Sequence, residues 1–114
     1  MSDRALQVTS DNWQSEVEQS PIPVLVDFTA AWCPPCRALA PTIDALAVDL
    51  AGRVKVVTLD VDAEPALAER YGVQAMPTLL LLDHGRVLEQ RIGAAPRATI
   101  EALVLPHAAA LAGA

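Results

Sequence analysis

Residues 24–37 read Val24-Leu25-Val26-Asp27-Phe28-Thr29-Ala30-Ala31-Trp32-Cys33-Pro34-Pro35-Cys36-Arg37. The first five are nearly continuously apolar, the pattern of a strand buried on both faces, with Asp27 the odd member. Beyond the cysteines, Leu39, Ile43, Leu46 and Leu50 recur at spacings of four, three and four. That is one apolar stripe of a helix over Arg37 to Leu50. Cys33 and Cys36 therefore stand where a buried strand gives way to a helix. Two thiols at this spacing on a helix's first turn can close a disulfide with little backbone movement. Cys33 faces unpaired N–H groups and the positive end of the helix dipole, and both favour the thiolate, which is the nucleophile. Cys36 lies one turn deeper and is harder for a substrate to reach. Cys33 is expected to attack and Cys36 to resolve.

Working outward, Ala5 to Val8 reads as a short edge strand. Thr9-Ser10-Asp11 offers N-cap chemistry for a helix through Trp13 and Val17, with Trp13 structural. Pro41, inside the helix that follows the cysteines, removes an N–H donor and predicts a kink, and Gly52 closes that helix. Arg53 to Leu59 is a second strand, parallel to the first through a crossover. Asp62 to Tyr71 is a short helix. Thr78 to Leu82 and Arg86 to Ile92 flank Asp83-His84-Gly85 as a hairpin. Pro96 opens a last helix that turns Ile100, Leu103 and Val104 inward. The order βαβαβαββα predicts an α/β protein, a mixed sheet with helices on both faces.

The chain has 114 residues, enough for one domain and one core. Hydrophobic residues make up 53% and aromatics only 4%, so Ala, Val and Leu must build that core. Eight basic residues against fourteen acidic ones give a net charge of −6. With no basic cluster, neither nucleic acid nor an anionic membrane surface is an expected partner. The polar start, Met1-Ser2-Asp3-Arg4-Ala5, has no apolar stretch of a secretory signal, and no run reaches the roughly 18 apolar residues of a membrane span. The alanine-rich end, Ala102 to Ala114, is broken by Pro106-His107. A soluble intracellular protein is expected.

Two cysteines are too few for a disulfide scaffold. The pair alone suits a redox couple, half of a zinc site or two small buried hydrophobes. Zinc wants four ligands, and the other nitrogen donors, His84 and His107, show no zinc-finger spacing.

Residues 24–37 resemble the active-site region of the thioredoxin family. The resemblance continues through Pro41, Asp60-Val61-Asp62, Tyr71-Gly72-Val73, Met76-Pro77-Thr78, Gly85 and Gly93. It covers nearly the whole chain in order and without large insertions, so residues 1–114 are expected to form a single thioredoxin domain. It implies a protein disulfide reductase working by dithiol–disulfide exchange through Cys33 and Cys36, with no bound cofactor and no metal. It also implies an NADPH-dependent thioredoxin reductase as electron donor, oxidised proteins as targets, a monomer, and a cytoplasmic location.

The resemblance assigns further roles. Asp27 matches a buried aspartate that holds a proton near neutral pH and exchanges it with Cys36. Read alone, Pro77 is an ordinary trans proline at a strand entry; the resemblance makes it a cis proline facing the cysteines. Met76 then offers its main-chain N–H and C=O to an extended substrate. Trp32 is expected to form an apolar wall beside Cys33 with Gly93 and Ala94. Pro34 and Pro35 complete the substrate-binding set.

The chain also departs from the family. Pro34-Pro35 replaces the usual Gly-Pro, removing an N–H near Cys33. The oxidising relatives place a histidine between the cysteines and this chain does not, so a reductant or general exchange protein is expected. Tryparedoxins and nucleoredoxins share WCPPC in longer domains. Thr29 stands where many thioredoxins carry a second tryptophan, Thr58 where a lysine often neighbours the aspartate, and Ala75 where a glycine is frequent.

Overall fold

The structure is a computed structural model that describes residues 4–109; the start before Arg4 and residues 110–114 of the alanine-rich end lie outside the described residues. Strands Leu6–Gln7 (β1), Val24–Thr29 (β2), Lys55–Asp60 (β3), Thr78–Asp83 (β4) and Arg86–Ile92 (β5) form one sheet in the order β1–β3–β2–β4–β5. β2 runs parallel to β3 and antiparallel to β4; β1 joins β3 in parallel, and β5 pairs antiparallel with β4. The helices are Pro34–Asp49 (α1), Pro65–Arg70 (α2) and Arg97–Val104 (α3). The predicted α/β order holds, and the crossover from β2 through α1 to β3 makes the expected parallel pair.

Side-chain alternation along the central strands sorts the core into two layers. Leu25, Val56, Leu79 and Leu81 meet Leu39, Ile43 and Leu46 of α1 and Ile100 and Val104 of α3. Val24, Val26, Phe28, Val57 and Leu59 face the other way, onto Trp13, Val17, Leu67 and Ala68. Each fully buried leucine or isoleucine in these layers stabilises the fold by about 1.5–3 kcal/mol relative to exposure. Odd-numbered positions of β2 thus point at α1, which puts Asp27 and Thr29 on the face that carries the cysteines.

Three local expectations change. The helix expected around Trp13 is a five-residue π-helical turn, Gln14–Glu18, with no side-chain cap. Thr9 N–H donates to Asn12 Oδ1 at 2.7 Å and Asp11 N–H to Thr9 Oγ1 at 3.2 Å. These short polar side chains fold their own backbone into a turn instead of capping a helix. α1 begins at Pro34 instead of Arg37, because its first turn has no intrahelical use for an N–H and accepts both prolines. It continues through Pro41 to Asp49 as one helix. α2 is likewise shorter than the expected Asp62–Tyr71 segment, its first turn fixed by Pro65. The β4–β5 hairpin is as expected: His84 and Gly85 both carry positive φ, 51° and 82°, the two-residue turn whose twist matches the strands it joins.

Candidate active site

β2 ends at Thr29, and four residues later Cys33 becomes the N-cap of α1 with φ −94° and ψ 110°. The Cys33 N–H donates back to Ala30 O at 3.2 Å, and the Arg37 N–H donates to Cys33 O at 3.1 Å. The Arg37 guanidinium adds a bond to Ala31 O at 2.8 Å, which fastens the loop to the helix. With no N–H on Pro34 or Pro35, the first amide able to reach the Cys33 sulfur is that of Cys36, and it donates to Sγ at 3.4 Å.

Both cysteines are free thiols. Cys33 is 4% exposed and Cys36 2%, so the expected difference in accessibility is small. The reason is packing: the pair and Ala30 form a small cluster covered by Val61 and Met76. Around it Trp32, Pro34 and Pro35 are exposed, so Cys33 sits just under the surface. Burial pushes the Cys36 thiol up, and its neighbour Cys33 adds to this; the nearby polar groups of Ala30 and Thr29 pull the other way but do not outweigh burial.

Asp27 lies behind the pair and is 2% exposed, with Oδ1 lacking a hydrogen-bond partner among the described residues. Burial pushes its carboxyl up from 3.8 to about 7. Asp27 shares a small enclosed cavity with Thr29, Ala30, Cys36, Arg37, Ala40 and Thr58. A carboxyl that ionises near neutral pH, in the same cavity as a thiol that must lose its proton, is the arrangement proton exchange needs.

The Met76–Pro77 peptide is cis, as the resemblance implied. The Cys33 thiol donates to Met76 O at 3.6 Å, so the main chain of Met76 lies against the reactive sulfur. The Thr78 hydroxyl donates to Ala75 O at 2.6 Å and closes that loop. Gly93, at φ 92°, donates its N–H to Pro77 O at 2.8 Å. Any side chain there would be strained by the backbone itself.

The expected wall of Trp32, Gly93 and Ala94 is divided between two flanks. Trp32 is 62% exposed, and its indole N–H donates to Asp62 Oδ2 at 2.7 Å, which ties the ring to the loop after β3. Gly93 and Ala94 follow β5, on the opposite side of β2 in the sheet; Ala94 borders an open groove against Ala38, Leu39 and Thr42 of α1. Asp62 as a tether, Thr29 as part of the cavity wall beside Cys36, and Ile92, which is 62% exposed beside Gly93, were not apparent from the sequence. His84 bonds Asp83 and His107 bonds Glu89. No group of three or more His, Cys, Asp and Glu that could hold a metal gathers among the described residues.

Taken with the sheet that carries it, this geometry defines a dithiol–disulfide oxidoreductase of the α/β class. The Thioredoxin family model matches residues 4–105, and the chain belongs to the thioredoxin family. Thioredoxin 1 of a Nostoc species is 40% identical over 103 residues, 90% of this chain and 96% of that protein. The chloroplastic thioredoxin M4 of Arabidopsis thaliana is 42% identical over 94 residues, 82% of this chain and 49% of the longer relative. Among solved structures, thioredoxin NaTrxh from Nicotiana alata matches with a TM-score of 0.84 at 34% identity, over 96% of each chain. The chain is accordingly a protein-disulfide oxidoreductase that works through its own cysteine pair without a cofactor, between a reductase and target proteins.

Proposed function

We propose that the chain is a single-domain, monomeric disulfide reductase of the cytoplasm, with Cys33 as nucleophile, Cys36 as resolving thiol and Asp27 as the proton-exchanging group. The observation that carries this reading is the placement of both thiols at the first turn of α1 with the Asp27 carboxyl in the cavity behind Cys36. Cys33 thiolate attacks one sulfur of a substrate disulfide; the other leaves with the bonding pair and is protonated. Asp27 carboxylate then takes the proton of Cys36. The Cys36 sulfur bonds to Cys33 Sγ, the bond between Cys33 and the substrate breaks, and the second substrate sulfur leaves as a thiol. Two electrons have passed to the substrate, and the Cys33–Cys36 disulfide awaits reduction.

Docking follows from the same geometry. An extended substrate adds along the main chain of Met76 and displaces the Cys33 contact with Met76 O. Trp32, Pro34 and Pro35 form one lip, and Pro77, Gly93 and Ala94 the other. An NADPH-dependent thioredoxin reductase returns electrons to the pair. The test combines two measurements. Cys36→Ser should accumulate mixed disulfides at Cys33 with oxidised proteins, and the unsubstituted chain should turn over insulin disulfides with NADPH and a bacterial thioredoxin reductase. Loss of trapping would remove Cys33 as nucleophile. Turnover supported only by a ferredoxin-dependent reductase would replace the electron donor.

A further inference from the structure

The fold gathers three sulfur-bearing side chains, Cys33, Cys36 and Met76. The two thiols sit at the first turn of α1, with the Cys36 N–H on Cys33 Sγ at 3.4 Å. Met76 arrives on the loop before β4. Its carbonyl meets Cys33 Sγ at 3.6 Å, and its side chain packs, partly buried, against the cluster of Ala30, Cys33 and Cys36. Apart from Met1, which lies outside the described residues, these are all the sulfur atoms of the chain. The chain has no third cysteine, and its two histidines bond Asp83 and Glu89 instead. Such a donor set discriminates between metals. Zinc takes four ligands from thiolate, imidazole or carboxylate. Copper(I), a soft ion content with few donors, is selected by thiolate and thioether sulfur.

We propose that the reduced chain binds one copper(I) ion through Cys33 Sγ, Cys36 Sγ and the Met76 thioether. The ion replaces both thiol protons, which pass to solvent; no electron is exchanged, and the copper stays monovalent. Two thiolates and one monovalent cation leave a single net negative charge at the site. The N-terminal end of α1 favours that charge. The cysteines, 4% and 2% exposed, keep bulk water off the metal. Closing the Cys33–Cys36 disulfide removes both thiolates, so the site belongs to the reduced chain alone. It needs both thiols but not the order in which they act on a substrate, and it therefore stands apart from the exchange mechanism above.

The probe is copper(I) itself, presented without oxygen to the reduced chain as its coloured complex with bicinchoninate, a chelator that gives up the ion only to a tighter site. The chain should take one ion per molecule, and X-ray absorption at the copper edge should show a shell of sulfur alone. That shell is read on the unsubstituted chain and depends on no variant's folding. Cys33→Ser and the disulfide form should leave the colour unchanged. Met76→Leu keeps an apolar side chain and removes the thioether; its affinity should fall roughly tenfold, the lower end of what losing a supporting group costs a metal site. Zinc(II) at the same concentration should not displace the copper. No transfer from the chelator, nitrogen or oxygen in the metal's shell, or one ion shared by two chains would overturn the site. An unaltered affinity in Met76→Leu would overturn the three-sulfur assignment. Failure of copper binding leaves disulfide exchange by the metal-free chain standing, and the release of nitrothiobenzoate from dithiobis(nitrobenzoate) reads that reaction separately.

Discussion

Asp27 on β2 lies directly opposite Thr58 on β3, so the buried carboxyl has a hydroxyl-bearing residue and no cation as its cross-strand neighbour on that side. Its other neighbour, across β4, is Leu79. This is why burial goes unopposed and the carboxyl keeps its proton up to about 7. Below about pH 4 the group is neutral folded and unfolded, and its ionisation adds no cost to folding. Between about 4 and 7 only the unfolded chain sheds the proton, so stability falls as the pH rises; above about 7 the penalty is constant. At about 1.4 kcal/mol per pH unit, the interval sets a ceiling on the order of 4 kcal/mol. Asp27→Asn should lack this slope, so its advantage in urea midpoint should grow from pH 4 to 7 and then level off. It should also slow resolution roughly tenfold or more at neutral pH, since the proton acceptor is gone. Parallel stability curves for the two proteins, or unchanged resolution, would remove Asp27 from the mechanism.

Supplying the missing cation tests the same relationship from the other side. Thr58→Lys would set an ammonium opposite the carboxyl and should lower the pH at which Asp27 ionises by roughly 1–3 units. The pH dependence of resolution should move down by the same interval. Carbon-13 chemical shifts of the Asp27 carboxyl against pH would measure it directly. An unmoved titration would mean that the lysine points away or is itself neutral.

Trp32 and Asp62 are thirty residues apart in the chain and joined by a 2.7 Å bond. An indole 62% exposed has little packing to hold it, so this bond sets its orientation beside Cys33. Asp62→Ala should free the ring. Because Trp13 is buried, a rise in iodide quenching of fluorescence would report Trp32 alone. The KM for a protein disulfide should rise roughly twofold, the loss of one exposed hydrogen bond, with kcat unchanged. Asp62→Asn, which keeps an acceptor oxygen, should restore both readouts if the tether is what matters.

How far the chain discloses its own structure can be judged residue by residue. The continuous apolar run of β2 and the stripe Leu39, Ile43, Leu46 are local patterns, and each became the expected element. So did the hairpin turn, whose chemistry resides in two adjacent residues. Asp27 was legible because a lone carboxyl in an apolar strand is conspicuous. What stayed hidden depends on separations that no local pattern records. Thr29 reads as an ordinary strand residue until α1 brings Cys36 to the cavity it lines, and Asp62 as one more surface acid until the loop after β3 meets Trp32. The burial of Cys33 follows from Met76 and Val61 closing over it, from elements folded far along the chain.

Ile92 is the clearest instance, and its role can be measured. By pattern it is an apolar strand residue, yet it ends the edge strand β5 at 62% exposure, next to the bond from Gly93 N–H to Pro77 O. An isoleucine left in water opposite Thr78, one residue from the Met76–Pro77 peptide, is useful if a partner covers it. On the proposed docking along Met76, a protein substrate would extend to the end of β5, whereas dithiobis(nitrobenzoate), whose attack by Cys33 releases nitrothiobenzoate, is too small to span both. Partial desolvation of such a side chain is worth roughly a three- to tenfold change in affinity. Ile92→Ser should therefore raise the KM for a protein disulfide by about that factor and leave the first nitrothiobenzoate release unchanged. Its urea midpoint should barely move, because a surface position carries little of the fold's stability, within about 0.5 kcal/mol. Equal losses toward both substrates would point to a disturbed Cys33, and no loss toward either would take β5 out of the docking surface.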